Sequence, residues 1–114
     1  MSALDREALL EIPIGEIVPV DLKSGRVRVR AMNGLERERW ENWCNERRKV
    51  QGEYCLRALL VIACCCDEAG LRLFDIDDYD AVCCLPASTV LIPIANAASK
   101  LNGLDGDENA IEGN

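Results

Sequence analysis

A chain of 114 residues, 49% hydrophobic and 29% charged, is long enough for one small domain with its own core. Such a domain hides about two-thirds of its unfolded surface, so intrinsic disorder is excluded and no disulfide framework is required. No apolar run approaches the ~18 residues a bilayer span needs. A net charge of -7 opposes general binding to nucleic-acid phosphates. The absence of histidine removes the commonest general base and every Ser/His or Cys/His catalytic arrangement.

The opening residues Met1-Ser2-Ala3-Leu4-Asp5-Arg6-Glu7 lack the basic-then-apolar layout of a secretory signal, and a cytoplasmic location is expected. Ser2 to about Leu10 reads as a short helix with Ser2 as its N-cap and Asp5 three residues on. Pro13 and Gly15 stop it. Glu16-Ile17-Val18-Pro19-Val20 is an edge strand, because Pro19 cannot donate to a ladder. After a turn at Asp21–Gly25, the segment Arg26 to Met32 alternates strictly, with Val27, Val29 and Ala31 on the buried face and arginines on the wet one.

Asn33 and Glu36 have the spacing of a reciprocal N-terminal cap, which predicts a helix from Asn33 to about Lys49 with Leu35, Trp40, Trp43, Cys44 and Val50 on its apolar face. Gly52 breaks it. Glu53 to Cys66 has only Glu53 and Arg57 as charges and is expected to be the central buried helix. Asp67–Gly70 is a turn and Leu71–Phe74 a short extended piece. Asp75 caps a third helix that Pro86 ends, and a last helix covers Ser88 to Asn102, with Pro93 in its first turn or kinking it and Gly103 closing it.

The expected fold is mainly α: a small helical domain of about four helices with an N-terminal β-hairpin or two short strands. It spans residues 1–103, and residues 104–114, rich in Gly, Asp and Glu, form a disordered acidic tail.

The seven cysteines, at positions 44, 55, 64, 65, 66, 83 and 84, include no Cys-x-x-Cys pair, which leaves zinc-ribbon and thioredoxin readings poor. On apolar helix faces in a reducing compartment they act as small buried hydrophobes. A site joining Cys64 or Cys65 to Cys83 or Cys84 is geometrically conceivable. Asp75, Asp77, Asp78 and Asp80 are dense enough for a calcium loop but lack its glycine and closing glutamate, and helix capping explains them. Trp40 and Trp43 lie among Arg37, Arg39, Arg47 and Arg48, with Glu36, Glu38, Glu41 and Glu46 interleaved to form opposite-charge pairs. A tryptophan pair facing the core beneath a mixed-charge face, or partner anchors if exposed, follows from that pattern. No cofactor, catalytic residue or metal ligand set is indicated, and no enzyme is expected. Lys23 to Arg57 holds ten bases and five acids, and Ala58 onward two bases and ten acids, a polarity that favours head-to-tail self-association.

The order of these segments resembles the tail assembly chaperones of long-tailed bacteriophages. The likeness is carried by the Ile17-Val18-Pro19-Val20 strand, Gly25-Arg26-Val27-Arg28-Val29-Arg30 and Asn33-Gly34-Leu35-Glu36-Arg37. It continues through Arg57-Ala58-Leu59-Leu60-Val61-Ile62-Ala63-Cys64, Asp67-Glu68-Ala69-Gly70-Leu71-Arg72-Leu73-Phe74 and Leu101-Asn102-Gly103-Leu104. The cysteine content and the tryptophan pair are not features of that family. The resemblance implies a chaperone without enzymatic activity, working in the bacterial host's cytoplasm. It would bind and solubilise the tape-measure protein and help recruit tail-tube subunits. It also implies that a longer frameshifted form can join near the acidic tail. An amphipathic helix with an uncovered apolar stripe aggregates, and many copies of a small helical protein with a groove would cover it. Trp40, Trp43, Arg47 and Arg48 are the expected partner-binding residues, with the last helix as the competing surface. The other readings are a phage connector, a nucleic-acid module using Arg26, Arg28, Arg30, Arg47 and Arg48, and a cysteine metal protein.

Overall fold

The computed structural model describes residues 3–52 and 54–104, so the acidic segment from Asp105 onward lies outside the described residues. The chain runs α1 (Arg6–Leu10), β1 (Val18–Leu22), β2 (Gly25–Val29), α2 (Gly34–Gln51), α3 (Leu56–Cys64) and β3 (Cys65–Cys66). A 3₁₀ turn (Ile76–Asp78) then leads into α4 (Tyr79–Cys83), and a π-helical turn (Ala87–Leu91) into α5 (Ile92–Leu101). The architecture is helical with a three-stranded antiparallel sheet in the order β1-β2-β3. No helix among the described residues is long and apolar enough to cross a membrane.

The core forms around α3, which buries every side chain from Ala58 to Cys64. Its neighbours α2, α4 and α5 pack around it, and α5 also lies against the β1–β2 hairpin. Val18, Val20, Leu22 and Val27 of the hairpin pack against this cluster, and Val29 is fully within it. Pro19 sits on the edge strand, paired with Arg28, where the missing N–H costs no ladder bond.

The third strand of this antiparallel sheet is the main departure from a helical domain with a hairpin. The apolar run was expected to remain helical through Cys66, but α3 ends at Cys64 and the next two residues pair with β2 in the register Arg28↔Cys66 and Val29↔Cys65. Tertiary pairing outcompetes helix propensity here. Arg30 N–H donates to the Cys64 carbonyl (3.1 Å), and Leu73 N–H donates to the Cys65 carbonyl (3.0 Å). Asp67 shapes the intervening turn, its carboxylate accepting from Ala69 and Leu71 N–H at 2.9 and 3.0 Å. Gly70 takes a φ of +86°, a conformation that L side chains rarely adopt.

Other element ends also differ from expectation. α1 begins at Arg6, because Asp5, not Ser2, is the cap and accepts from Ala8 N–H at 2.9 Å. The Asp75 segment opens as a 3₁₀ turn with Asp75 and Asp78 capping each other before α4 starts at Tyr79. The expected helix from Ser88 is divided. Pro93 has no N–H for the Thr89 carbonyl and its ring crowds that carbonyl, so the preceding turn widens to the π form and α5 proper starts at Ile92.

Asn33 and Glu36 form the reciprocal cap of α2, each side chain accepting the other's backbone N–H at 2.9 Å. The apolar face of α2 is narrower than five residues. Trp40 and Cys44 are buried one turn apart, whereas Leu35 and Val50 are 60% and 82% exposed. Leu35 lies about 140° around the helix from Trp40 at ~100° per residue, on the far side from α3.

Arg30, the residue after β2, departs from the exposed arginine face of that strand. Its Nε donates to the Gly70 carbonyl (2.6 Å), and its two terminal nitrogens donate to the Glu36 carboxylate (2.8 and 2.7 Å) in a bidentate pair that is nearly enclosed. Strand, turn and helix start are thereby tied at one guanidinium.

At the other end, α5 closes with the N–H of Leu104 on the Ser99 carbonyl (2.9 Å) and the N–H of Gly103 on the Lys100 carbonyl (3.2 Å). With Gly103 at a φ of +70°, this is a Schellman motif. It brings Leu104, expected to begin the tail, into the core. Asn102 clamps the same region: its Oδ1 accepts from Met32 N–H (2.8 Å), and its Nδ2 donates to the Ala98 carbonyl (2.7 Å) and to Cys64 Sγ (3.4 Å).

Two outcomes follow for stability. Asn102→Ala leaves the Met32 N–H without its acceptor and is expected to cost about 1–3 kcal/mol in urea unfolding. The Arg30 hydrogen bonds hold the Glu36 carboxyl below its ordinary value of 4.5, against an opposing effect of burial. That stabilisation is present above the unfolded value and is lost as pH falls through the lower folded one. Below about pH 4.5 the urea midpoint of the wild type should therefore fall more steeply than that of Glu36→Gln, and parallel curves would contradict this.

Candidate functional site

The four side chains expected to meet a partner do not form one patch. Trp40 is only 6% exposed and belongs to the core. Trp43 is half-buried, with the Arg72 guanidinium 5.9 Å from its ring centre. Arg47 turns inward and stacks 4.3 Å over the ring of Tyr79. Arg48 is exposed, its Nη2 donating to the Tyr54 hydroxyl at 3.1 Å. Trp40 and Arg48 share a groove, and Trp43 and Arg47 lie outside it.

That groove has a volume of about 350 Å³ and runs between α2 and the start of α3. Trp40, Cys44, Leu56 and Leu104 supply its apolar surface, and Arg37, Glu41, Asn45, Arg48 and Tyr54 its polar lining. The geometry follows from helical spacing: Arg37, Glu41, Asn45 and Arg48 recur every three or four residues and form one stripe of α2 beside Trp40 and Cys44. Arg37 is held by Glu41 (3.1 Å) and lies 5.6 Å from the centre of the Trp40 ring. Leu104 reaches the groove because the Schellman turn folds the chain back, a placement that no periodicity signals. Tyr54 is anchored by Arg48, whose guanidinium lies 5.8 Å from its ring.

The indole Nε1 of Trp40 is buried and has no hydrogen-bond partner among the described residues. A buried donor left unpaired costs roughly 1–3 kcal/mol, so this ring is retained at some expense to stability.

The other candidates have structural roles. Arg26, Arg28 and Arg30 each meet an acid, respectively Asp21 (2.7 Å), Glu68 (3.3 Å) and Glu36 (2.7 Å). They do not form an unpaired ladder for phosphates. Cys64 and Cys65 are core residues, and burial pushes their thiols up to about 12 and about 11, while that of Cys44 rises to about 11. Burial thus favours the neutral thiol over the reactive thiolate at neutral pH. Among the described residues, no three His, Cys, Asp or Glu side chains stand close enough to hold a metal ion.

No protein-family model matches the chain, and no curated protein or solved structure matches it.

The unpaired indole makes the groove floor testable. Trp40→Ala should cost about 3–5 kcal/mol as a core truncation. Trp40→Phe keeps an aromatic floor and removes the unpaired donor, and it should cost less than half as much by urea midpoint. Equal losses would show that the indole N–H makes a contact in solution.

Proposed function

We propose that this chain is a tail assembly chaperone of the long-tailed phage type. In this reading it covers the apolar stripe of the tape-measure protein in the bacterial cytoplasm until tail-tube subunits encase that protein. The observation that carries the reading is the groove between α2 and α3, with its apolar surface and its arginines at positions 37 and 48. An amphipathic helix presents an apolar row flanked by charges, and such a row laid in a groove is a common mode of helix recognition. Binding of this kind needs no chemistry beyond burial and charge pairing. The ordered motifs Asn33-Gly34-Leu35-Glu36 and Leu101-Asn102-Gly103-Leu104, which carry the family resemblance, also support it. The first caps α2, and the second closes the domain and places Leu104 at the groove.

The test is co-expression with helical fragments of the tape-measure protein from the same genome, followed by affinity purification. A fragment insoluble alone should emerge soluble and bound to this chain. Arg48→Glu, a change at an exposed position, should weaken capture about tenfold, which corresponds to ~1.4 kcal/mol. If fragments aggregate whether or not this chain is present, the reading fails.

A further inference from the structure

The segment before the sheet leaves a run of large apolar side chains in water. Among the described residues, Leu4, Leu9, Leu10, Ile12 and Ile14 are all exposed, and α1 buries none of its side chains. Water-facing leucines and isoleucines at this density within eleven residues form an apolar patch rather than scattered surface residues. None of these side chains lines the groove of their own chain. The same arm is acidic, with Asp5, Glu7, Glu11 and Glu16 against the single base Arg6.

We infer that the N-terminal arm of one copy docks in the α2–α3 groove of a second copy. Leu9 and Leu10 of the arm would lie against Trp40, Cys44, Leu56 and Leu104, with the arm's carboxylates beside Arg48. Charge selects this occupant. Arg48 is an exposed guanidinium with no carboxylate partner among the described residues, holding only the Tyr54 hydroxyl. The docking covers the arm's exposed leucines against the groove, and it sets a carboxylate beside Arg48, which has none among the described residues. Both halves are present on every copy, so the contact is heterologous. It either closes as a ring or continues as an open chain. The inference does not rest on the tape-measure reading, since both partners are this chain.

The experiment uses the full chain alone, in sedimentation equilibrium over about a hundredfold concentration range. The wild type should gain mass with concentration. The double variant Leu9→Asp/Leu10→Asp and the single variant Arg48→Glu should each remain monomeric, with wild-type urea midpoints confirming that they fold. Mixing the two variants supplies one intact arm and one intact groove, and a one-to-one complex should form. A wild type monomeric at every concentration, including one whose arm folds onto its own groove, overturns the inference. So does an arm variant that associates like the wild type, or a mixture that stays monomeric.

Discussion

The fold depends on how Arg30 is held. Its guanidinium donates to the Gly70 carbonyl, to the Ala31 carbonyl and twice to Glu36, and it is almost enclosed by these partners. Each contact fixes a different element. Gly70 belongs to the turn after β3, Glu36 to the first turn of α2, and Arg30 itself extends β2. A buried charge that loses its partner is costly, so the geometry of the three elements is coupled through this group. Glu36 is further committed, because the oxygen that meets Arg30 also accepts the Asn33 N–H that starts the helix. The start of α2 is therefore tied to the sheet by a charge pair, in addition to its apolar packing on α3. With α2 so placed, Trp40 and Cys44 face α3 and the groove opens on their flank.

This pair also shows the limit of period-two reasoning. Strict alternation along β2 correctly places Val29 in the core and assigns the arginines to the other face. It cannot show that this face is covered near Arg30, because the cover comes from α2 and from the Gly70 turn, distant in sequence. Similarly, the run from Ala58 to Cys66 is apolar throughout, and an apolar run has no period to separate a helix from a buried strand. Only the presence of β2 as a pairing partner converts Cys65 and Cys66 to strand. Capping residues were more legible because they act locally. Asn33 with Glu36, Asp75 with Asp78, and Gly103 all end or start elements where their chemistry demands.

The groove was only half visible for the same reason. Trp40 and Arg48 stood out as residue types, but Trp43 and Arg47 differ from them by a quarter turn or so and are drawn to Arg72 and Tyr79 instead. Tyr54, Leu56 and Leu104 complete the groove from segments that α2 meets only in the folded state. By its sequence context Asn102 is a helix end, yet its side chain joins α5 to Met32, ahead of α2, and to Cys64. A polar residue with that reach looks no different in sequence from any helix-terminal asparagine.

The distribution of paired and unpaired groups bears on function more than net charge does. Of the basic residues between Lys23 and Arg57, Arg26, Arg28, Arg30 and Arg37 already hold acids within the chain, and Arg47 covers an aromatic ring. The excess of bases in that half is thus smaller at the surface than a residue count implies. Among the described residues Arg48, like Lys23, Arg39, Lys49 and Arg57, has no such acid, and it stands at a groove whose floor holds the indole N–H without a partner. A buried donor with no partner among the described residues, beside an apolar surface, costs stability that an isolated domain gains nothing from retaining. The same chain leaves Leu4, Leu9, Leu10, Ile12 and Ile14 in water, so the groove and the arm both depart from what the stability of an isolated domain favours.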